Sequence, residues 1–394
     1  MDDPVSPVVD APAEGQAWSS SWRAGVLLSV AAWLFGRIVV AISFAPARWP
    51  LSLRTSSWFR WDSVNYLQIA IHGRTFFRCH GPATLLYHPT GTWCGLATWL
   101  PGYPTVATGL HHLGVPVDTA LLVVSQFAWL AALLLIWAGW IRHLSPGRGT
   151  VVLFACSIFP GAVYAYAAFP VSLATALLLG AVLALRRERL VLMALLLAAA
   201  NFAYPSAWFA TLGLALGAAV LGLQVSRRVA LRRAAWALGG VVSIPLLALH
   251  DQIVFGRADA FFVLQSQNGS HHDYLPGIPS ALVSLLGWPA TGVLLTQALV
   301  SVLLVGGALG VVVARRRRTG AFDEDLVLAL LGAFVVVGGV VSSSAGVWTR
   351  SILLAVPAVL CLRRLPRWTL GGGLVAMALL AATIARYFFD GRII

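Results

Sequence analysis

The chain has 394 residues, of which 59% are hydrophobic and only 10% charged, a composition that excludes a water-soluble domain of this size. Its formal charge of +13 comes from 27 basic residues, all of them Arg, against 14 acids. The arginines stand in short runs between apolar stretches, which points to membrane anchoring and away from a nucleic-acid partner.

The apolar runs repeat along the whole length, so the hydrophobicity belongs to many spans rather than to one signal peptide, and no cleavable leader is expected. Residues 1–22 read as a cytoplasmic tail and residues 23–394 as one all-α polytopic membrane domain. Length and hydropathy predict eleven spans, at about 24–44, 121–141, 150–168, 171–185, 190–203, 205–224, 234–250, 289–314, 325–343, 350–363 and 368–389. Five arginine clusters, at 142–148, 186–189, 227–233, 315–318 and 363–367, then fall on one side, which the positive-inside rule makes cytoplasmic. The N-terminus is expected inside and the C-terminus outside.

Two segments do not fit the spanning pattern, and both are expected on the external side: residues 45–120 and 251–282. In the first, "WFRWDSVNYLQIAIHG" carries Asp62, the only acid between Glu14 and Asp118. Val64, Leu67 and Ile71 recur there at helical spacing, which predicts a helix starting near Asp62 and Ser63. An Asp at a helix entrance can be a simple N-cap, and it can also be a catalytic base; both remain open on chemistry alone. Residues 97–113, "ATWLPGYPTVATGLHHL", are too short and too rich in Pro and Gly to span and are expected as a helix at the outer interface.

Cys79 and Cys94 are expected to form a disulfide in an oxidising exterior. Metal ligation with His72, His80 and His88 is the alternative, although no tight ligand spacing supports it. The second external segment, "FGRADAFFVLQSQNGSHHDY", gathers Gln265, Gln267, Asn268, His271, His272 and Asp273, groups whose hydrogen-bonding directions suit a sugar or head group as well as they suit a solvated loop. Asn268-Gly269-Ser270 has the form of a weak glycosylation sequon. In "SSSAGVWTRSILLAVP", Arg350 stands at the outer end of a span, where a guanidinium can fork onto a phosphate or snorkel to lipid head groups.

These residues carry a resemblance. "RWDSVNYLQIAIHG" resembles the hallmark of the GPI mannosyltransferase II family and its bacterial relatives, integral-membrane glycosyltransferases of the GT-C superfamily. "TWLPGYP" at 98–104, "SIFPGAVYAYAAF" at 157–169, "FGRADAFFVLQSQNG" and "TRSILLAVPAVLCL" are similar to further family elements in the same order, so the likeness runs over roughly residues 58–362, with the first motif the specific one. Two positions depart: Phe169-Pro170-Val171 stands where the family has Tyr-Ser-Glu, and Ala203-Tyr204 where it has Thr-Arg.

The resemblance implies a GT-C type helix bundle and a transferase that moves a sugar, mannose by the family's habit, from a polyprenyl-phosphate donor to an acceptor hydroxyl on the external face, with inversion. The acceptor would be a glycan, glycolipid or protein of the cell envelope, and the location a bacterial plasma membrane. On this basis Asp62 is the expected base, Arg350 and Arg60 the phosphate ligands, and Tyr66, Gln265, Gln267, His271 and His272 the groups that orient sugar and acceptor. No cofactor is expected, and a divalent metal is disfavoured because a single Asp offers few oxygen ligands; Asp251, Asp259 and Asp273 add to it only if the second segment folds over Asp62. Two other classes suit the composition, a transporter or flippase of lipid-linked sugars and an inactive scaffold of the same fold. A transporter would place ionisable groups in mid-span and show internal repeats, and neither pattern is evident in this sequence.

Overall fold

The computed structural model describes residues 21–43, 54–79, 91–267, 291–341 and 350–390. In chain order the helices are α1 (Trp22–Ile42), α2 (Asp62–His72), α3 (Gly102–His111), α4 (Val117–Ile136), α5 (Pro146–Ser157), α6 (Val163–Tyr166), α7 (Val171–Arg186) and α8 (Leu190–Ala203). They continue as α9 (Ala207–Leu223), α10 (Arg227–Leu238), α11 (Ser243–Phe255), α12 (Ala260–Gln267), α13 (Thr291–Thr319), α14 (Asp325–Val341), a 3₁₀ segment (Ile352–Arg364) and α15 (Arg367–Phe389). The one small ribbon among the described residues pairs Phe77 with Cys94 and Arg78 with Trp93.

Among the described residues, five stretches are long and apolar enough to cross a membrane: Trp22–Ile42, Val117–Ile141, Arg227–Phe255, Leu295–Thr319 and Arg367–Phe389. The chain is therefore an all-α protein of the kind that sits in a bilayer. The shorter apolar helices α7, α8, α9 and α14 give about 1.5 Å per residue, less than the roughly 30 Å of a hydrocarbon core. α7 is largely buried among its neighbours, whereas α8 and α9 turn Leu192, Leu195, Leu212 and Leu216 outward. On α9, Gly213 and Gly217 turn one small-residue face to α14: a Cβ at Gly213 would stand 2.5 Å from the Leu330 carbonyl, and one at Gly217 2.9 Å from Val327. Close backbone approach of this kind replaces the hydrophobic effect as the source of helix association in lipid.

The span expected at 150–168 is not one helix. α5 ends at Ser157, because Pro160 has no N–H to give and Gly161 takes φ 93°. Residues 158–169 are nevertheless wholly buried in protein, the condition under which irregular backbone is tolerated at membrane depth. Their carbonyls find partners: Tyr166 O accepts from Arg37 Nη1 at 3.3 Å and from Gln126 Nε2 at 3.1 Å.

The 3₁₀ segment contains Pro357 and is buried almost throughout. At about 2.0 Å per residue its length approaches 26 Å, against about 20 Å for the same residues as an α-helix. A short stretch thereby reaches between the two ends of the bundle.

One end gathers the arginine clusters. Arg186 donates to Gly139 O at 2.7 Å and pairs with Glu324 at 2.6 Å. Glu188 takes Arg232 at 3.1 Å and also Arg233. Asp325 is held by Arg315 and Arg363, both at 2.8 Å, and Arg367 donates to Ser145 Oγ at 3.1 Å. All five clusters are thus stitched to one another. α1 and α15 both begin here, the first with Trp22 edge-on to Trp137 (ring centroids 5.6 Å) and the second at Arg367. After 23 residues α15 ends with Phe389 against Trp58, 5.2 Å between ring centroids, so the segment that carries Asp62 lies at the opposite end.

Candidate functional site

The site begins with a strained turn. Ser63 N donates to Arg60 O at 3.1 Å, closing a turn in which Trp61 holds φ 55° and ψ −123°. This is the first central position of a type II′ turn, which glycine fills without penalty. For a Trp it costs about 1–3 kcal/mol. Ser63, fully buried, adds a bond from its hydroxyl to the same Arg60 carbonyl at 2.8 Å. The turn starts α2 abruptly and aims the Asp62 side chain.

That side chain meets Arg350. The guanidinium Nη1 donates to Asp62 Oδ2 across 288 positions of sequence, with the two side chains 12% and 28% exposed respectively. The helix boundary falls on Trp61, with no side-chain capping bond there, and Asp62 is the first helical residue. Asp62 is therefore not the N-cap; a carboxylate in the first turn still gains from the helix dipole. Arg60 is half-buried, and its Nη1 turns back to Phe59 O at 2.8 Å.

One helical turn beyond Asp62, Tyr66 is buried edge-on against Tyr103, with ring centroids 5.4 Å apart. Tyr103 OH donates to Leu121 O at 2.7 Å and lies 2.8 Å from Ser125 Oγ. Burial pushes the Tyr66 phenol well above its ordinary value, and the nearby Tyr204 and Tyr103 add to it. Tyr204 in turn reaches the residue next to Arg350: its OH is 3.1 Å from Ser351 Oγ, and Ser206 Oγ is 2.6 Å from the same atom. Three connections therefore converge: the start of α2, the turn between α8 and α9, and the head of the 3₁₀ segment.

The segments around Arg74 and Asp251 are joined by a second, closed cluster. Asp251, with no exposure, receives Arg74 on Oδ1 and the Phe261 N–H on Oδ2 at 3.1 Å, with His250 Nδ1 at 3.1 Å from Oδ1. Arg74 also donates to Ala97 O. Burial lowers the Arg74 guanidinium from its ordinary value, with the hydrogen bond and charge of Asp251 acting the other way. Gln265 Nε2 donates to Thr98 O and Gln267 Oε1 accepts from Trp93 N, each at 2.9 Å. Both glutamines are thus placed in the seam between the segments. Cys79 and Cys94 are joined by a disulfide in the same region. On the rim, Arg257 forks onto Asp259 at 2.9 and 2.7 Å and draws its carboxyl below the usual carboxylate range.

His271, His272, Asp273 and the sequon at 268–270 lie outside the described residues, as do His80 and His88. Among the described residues no group of three or more His, Cys, Asp or Glu gathers to hold a metal ion. Phe169, at the first departure from the family pattern, is buried against Tyr164 and Phe388, and its N–H and C=O both bond to Ser125 Oγ.

Two features escaped the sequence reading. The Arg74–Asp251 clamp had a signal, since an acid in an apolar stretch requires a cationic partner, but nothing in the spacing names Arg74. The hydroxyl cluster of Tyr204, Ser206 and Ser351 had none, because common residues 145 positions apart carry no pattern. No family model and no curated protein matches the chain.

Proposed function

We propose that the protein is a membrane glycosyltransferase that moves a sugar, mannose in the first instance, from a polyprenyl-phosphate donor to an acceptor hydroxyl at the end of the bundle opposite the arginine clusters. The contact between Asp62 and Arg350 carries this assignment. A carboxylate and a guanidinium brought together from distant parts of the chain, both partly open, are the two groups that inverting transfer from a phosphate donor requires.

In the proposed reaction the donor phosphate takes the Arg350 guanidinium, and Asp62 is released as a base. The acceptor oxygen attacks the anomeric carbon from the face opposite the phosphate while its proton passes to Asp62. The bond from that carbon to the phosphate oxygen breaks, its electron pair stays on the phosphate, and Arg350 stabilises the developing charge. A donor confined to lipid demands a site where a helix bundle opens onto its rim.

The topology we infer has eleven passes, the third of them broken after Ser157, in a bacterial plasma membrane. The N-terminus and the stitched arginine clusters are inside, and Asp62 and the C-terminus outside. Alternation fits the ends located above, since α1 and α15 both run from the arginine end to the other. Incubating the purified protein with radiolabelled polyprenyl-phosphate mannose and membrane lipid extract is expected to put label into a new product. Retention of all label in the donor, while a reconstituted vesicle assay shows its movement across the bilayer, would support a flippase instead.

A further inference from the structure

Tyr204 stands where the family motif has an arginine, a departure that removes a charge from the site. The structure supplies something else at that place. Ser351 is fully buried, and its hydroxyl is pinned from two sides, by Tyr204 OH at 3.1 Å and by Ser206 Oγ at 2.6 Å. Both partners sit on the Tyr204-Pro205-Ser206 corner between α8 and α9, and both are nearly buried, at 8% exposure. Ser351 directly precedes the 3₁₀ segment, a form whose hydrogen-bond geometry is poorer than that of an α-helix and which holds its ends less firmly.

We propose that Tyr204 and Ser206 are positioning residues: by fixing the Ser351 hydroxyl they set the register of the head of the 3₁₀ segment, and with it the reach of the Arg350 guanidinium to Asp62 and to the donor phosphate. This function of the cluster rests, for its donor part, on the glycosyltransferase reading. The cluster is well suited to the task because three hydroxyls can share their protons in a closed set and need no ion. Neither Tyr204 nor Ser206 touches the reacting groups; each acts through Ser351.

The test separates the positioning from the chemistry. Asp62→Asn, Arg350→Gln and the double variant are made in the parent chain and in Tyr204→Phe, and the apparent Tm of each is measured in detergent. The coupling between positions 62 and 350, taken from the double-mutant cycle, is expected in the parent and to fall by at least half in Tyr204→Phe. Equal coupling in both backgrounds, or none in the parent, overturns the proposal. Ser206→Ala provides the same comparison if Tyr204→Phe does not fold. In a second arm, binding of polyprenyl phosphate is expected to weaken about fivefold in Tyr204→Phe, as for one lost hydrogen bond. It should not weaken further when Tyr204→Phe is added to Arg350→Ala. A parent chain that shows the coupling but binds no polyprenyl phosphate leaves the positioning standing and removes the glycosyltransferase reading. Additive losses in the two variants remove the positioning and leave that reading in place.

Discussion

The two ends of the bundle both hold acid–arginine pairs, and they hold them differently. At the arginine end Asp325 has no exposure and is shared by Arg315 and Arg363, and Glu188 takes two arginines. At the other end Asp251 is equally closed, occupied by Arg74 and a backbone N–H. Asp62 differs from the two closed aspartates in being 28% exposed, just after the strained turn at Trp61, and in facing Arg350; Glu188, 42% exposed and itself at φ 53°, shares the openness but is held by two arginines. A carboxylate whose lone pairs are filled inside protein is a fastening, since removing a partner leaves a buried charge uncompensated. Asp62 is partly open and faces one arginine, which is why the proposed exchange is assigned to it.

The contrast can be broken most sharply at Asp62. Asp62→Asn keeps the shape and removes the base, so transfer from polyprenyl-phosphate mannose should fall about 10²–10⁴-fold, with a drop in apparent Tm no larger than the lost pairing with Arg350 accounts for. A rate within twofold of the parent would end the base assignment. The opposite signature is expected for Asp325→Ala, which strands the buried Arg363 and leaves Arg315 with Asp323 alone, and should cost about 3–5 kcal/mol. Loss of monodisperse protein after detergent extraction is the readout, and equal damage from Asp62→Ala would erase the distinction between fastening and exchange.

The remaining predictions sharpen it. Replacing Cys79 and Cys94 by Ser opens a loop with a sequence separation of 15, which should cost about 3 kcal/mol. Protease nicking near the ribbon should rise while the arginine end stays resistant. Arg350→Ala should weaken donor binding by about 1.5–3 kcal/mol, the worth of a hydrogen bond to a charged group. An unchanged donor titration would take Arg350 out of the site.

Much of the fold was legible because lipid permits few solutions. Backbone groups in a bilayer must bond internally, so long apolar runs become helices, and the arginine runs mark their ends. The start of α2 near Asp62 appeared where helical spacing placed it, and a helix stands within 97–113, while the stretch expected as a span at 350–363 is largely 3₁₀. The break after Ser157 was not legible, because the irregular stretch from Ile158 is as apolar as a span and differs only in being surrounded by protein.

The candidate site divides along the same line. Composition alone determined that this is a helical chain for a membrane, and that Asp62 and Arg350 are polar exceptions in apolar surroundings. Only the tertiary structure decided that these two meet, that Gln265 and Gln267 bind main chain in a seam, and that Asp251 is clamped by Arg74. The physical reason is separation: local pattern reports on neighbours one or two turns away. A contact across 288 residues depends instead on how every intervening helix packs.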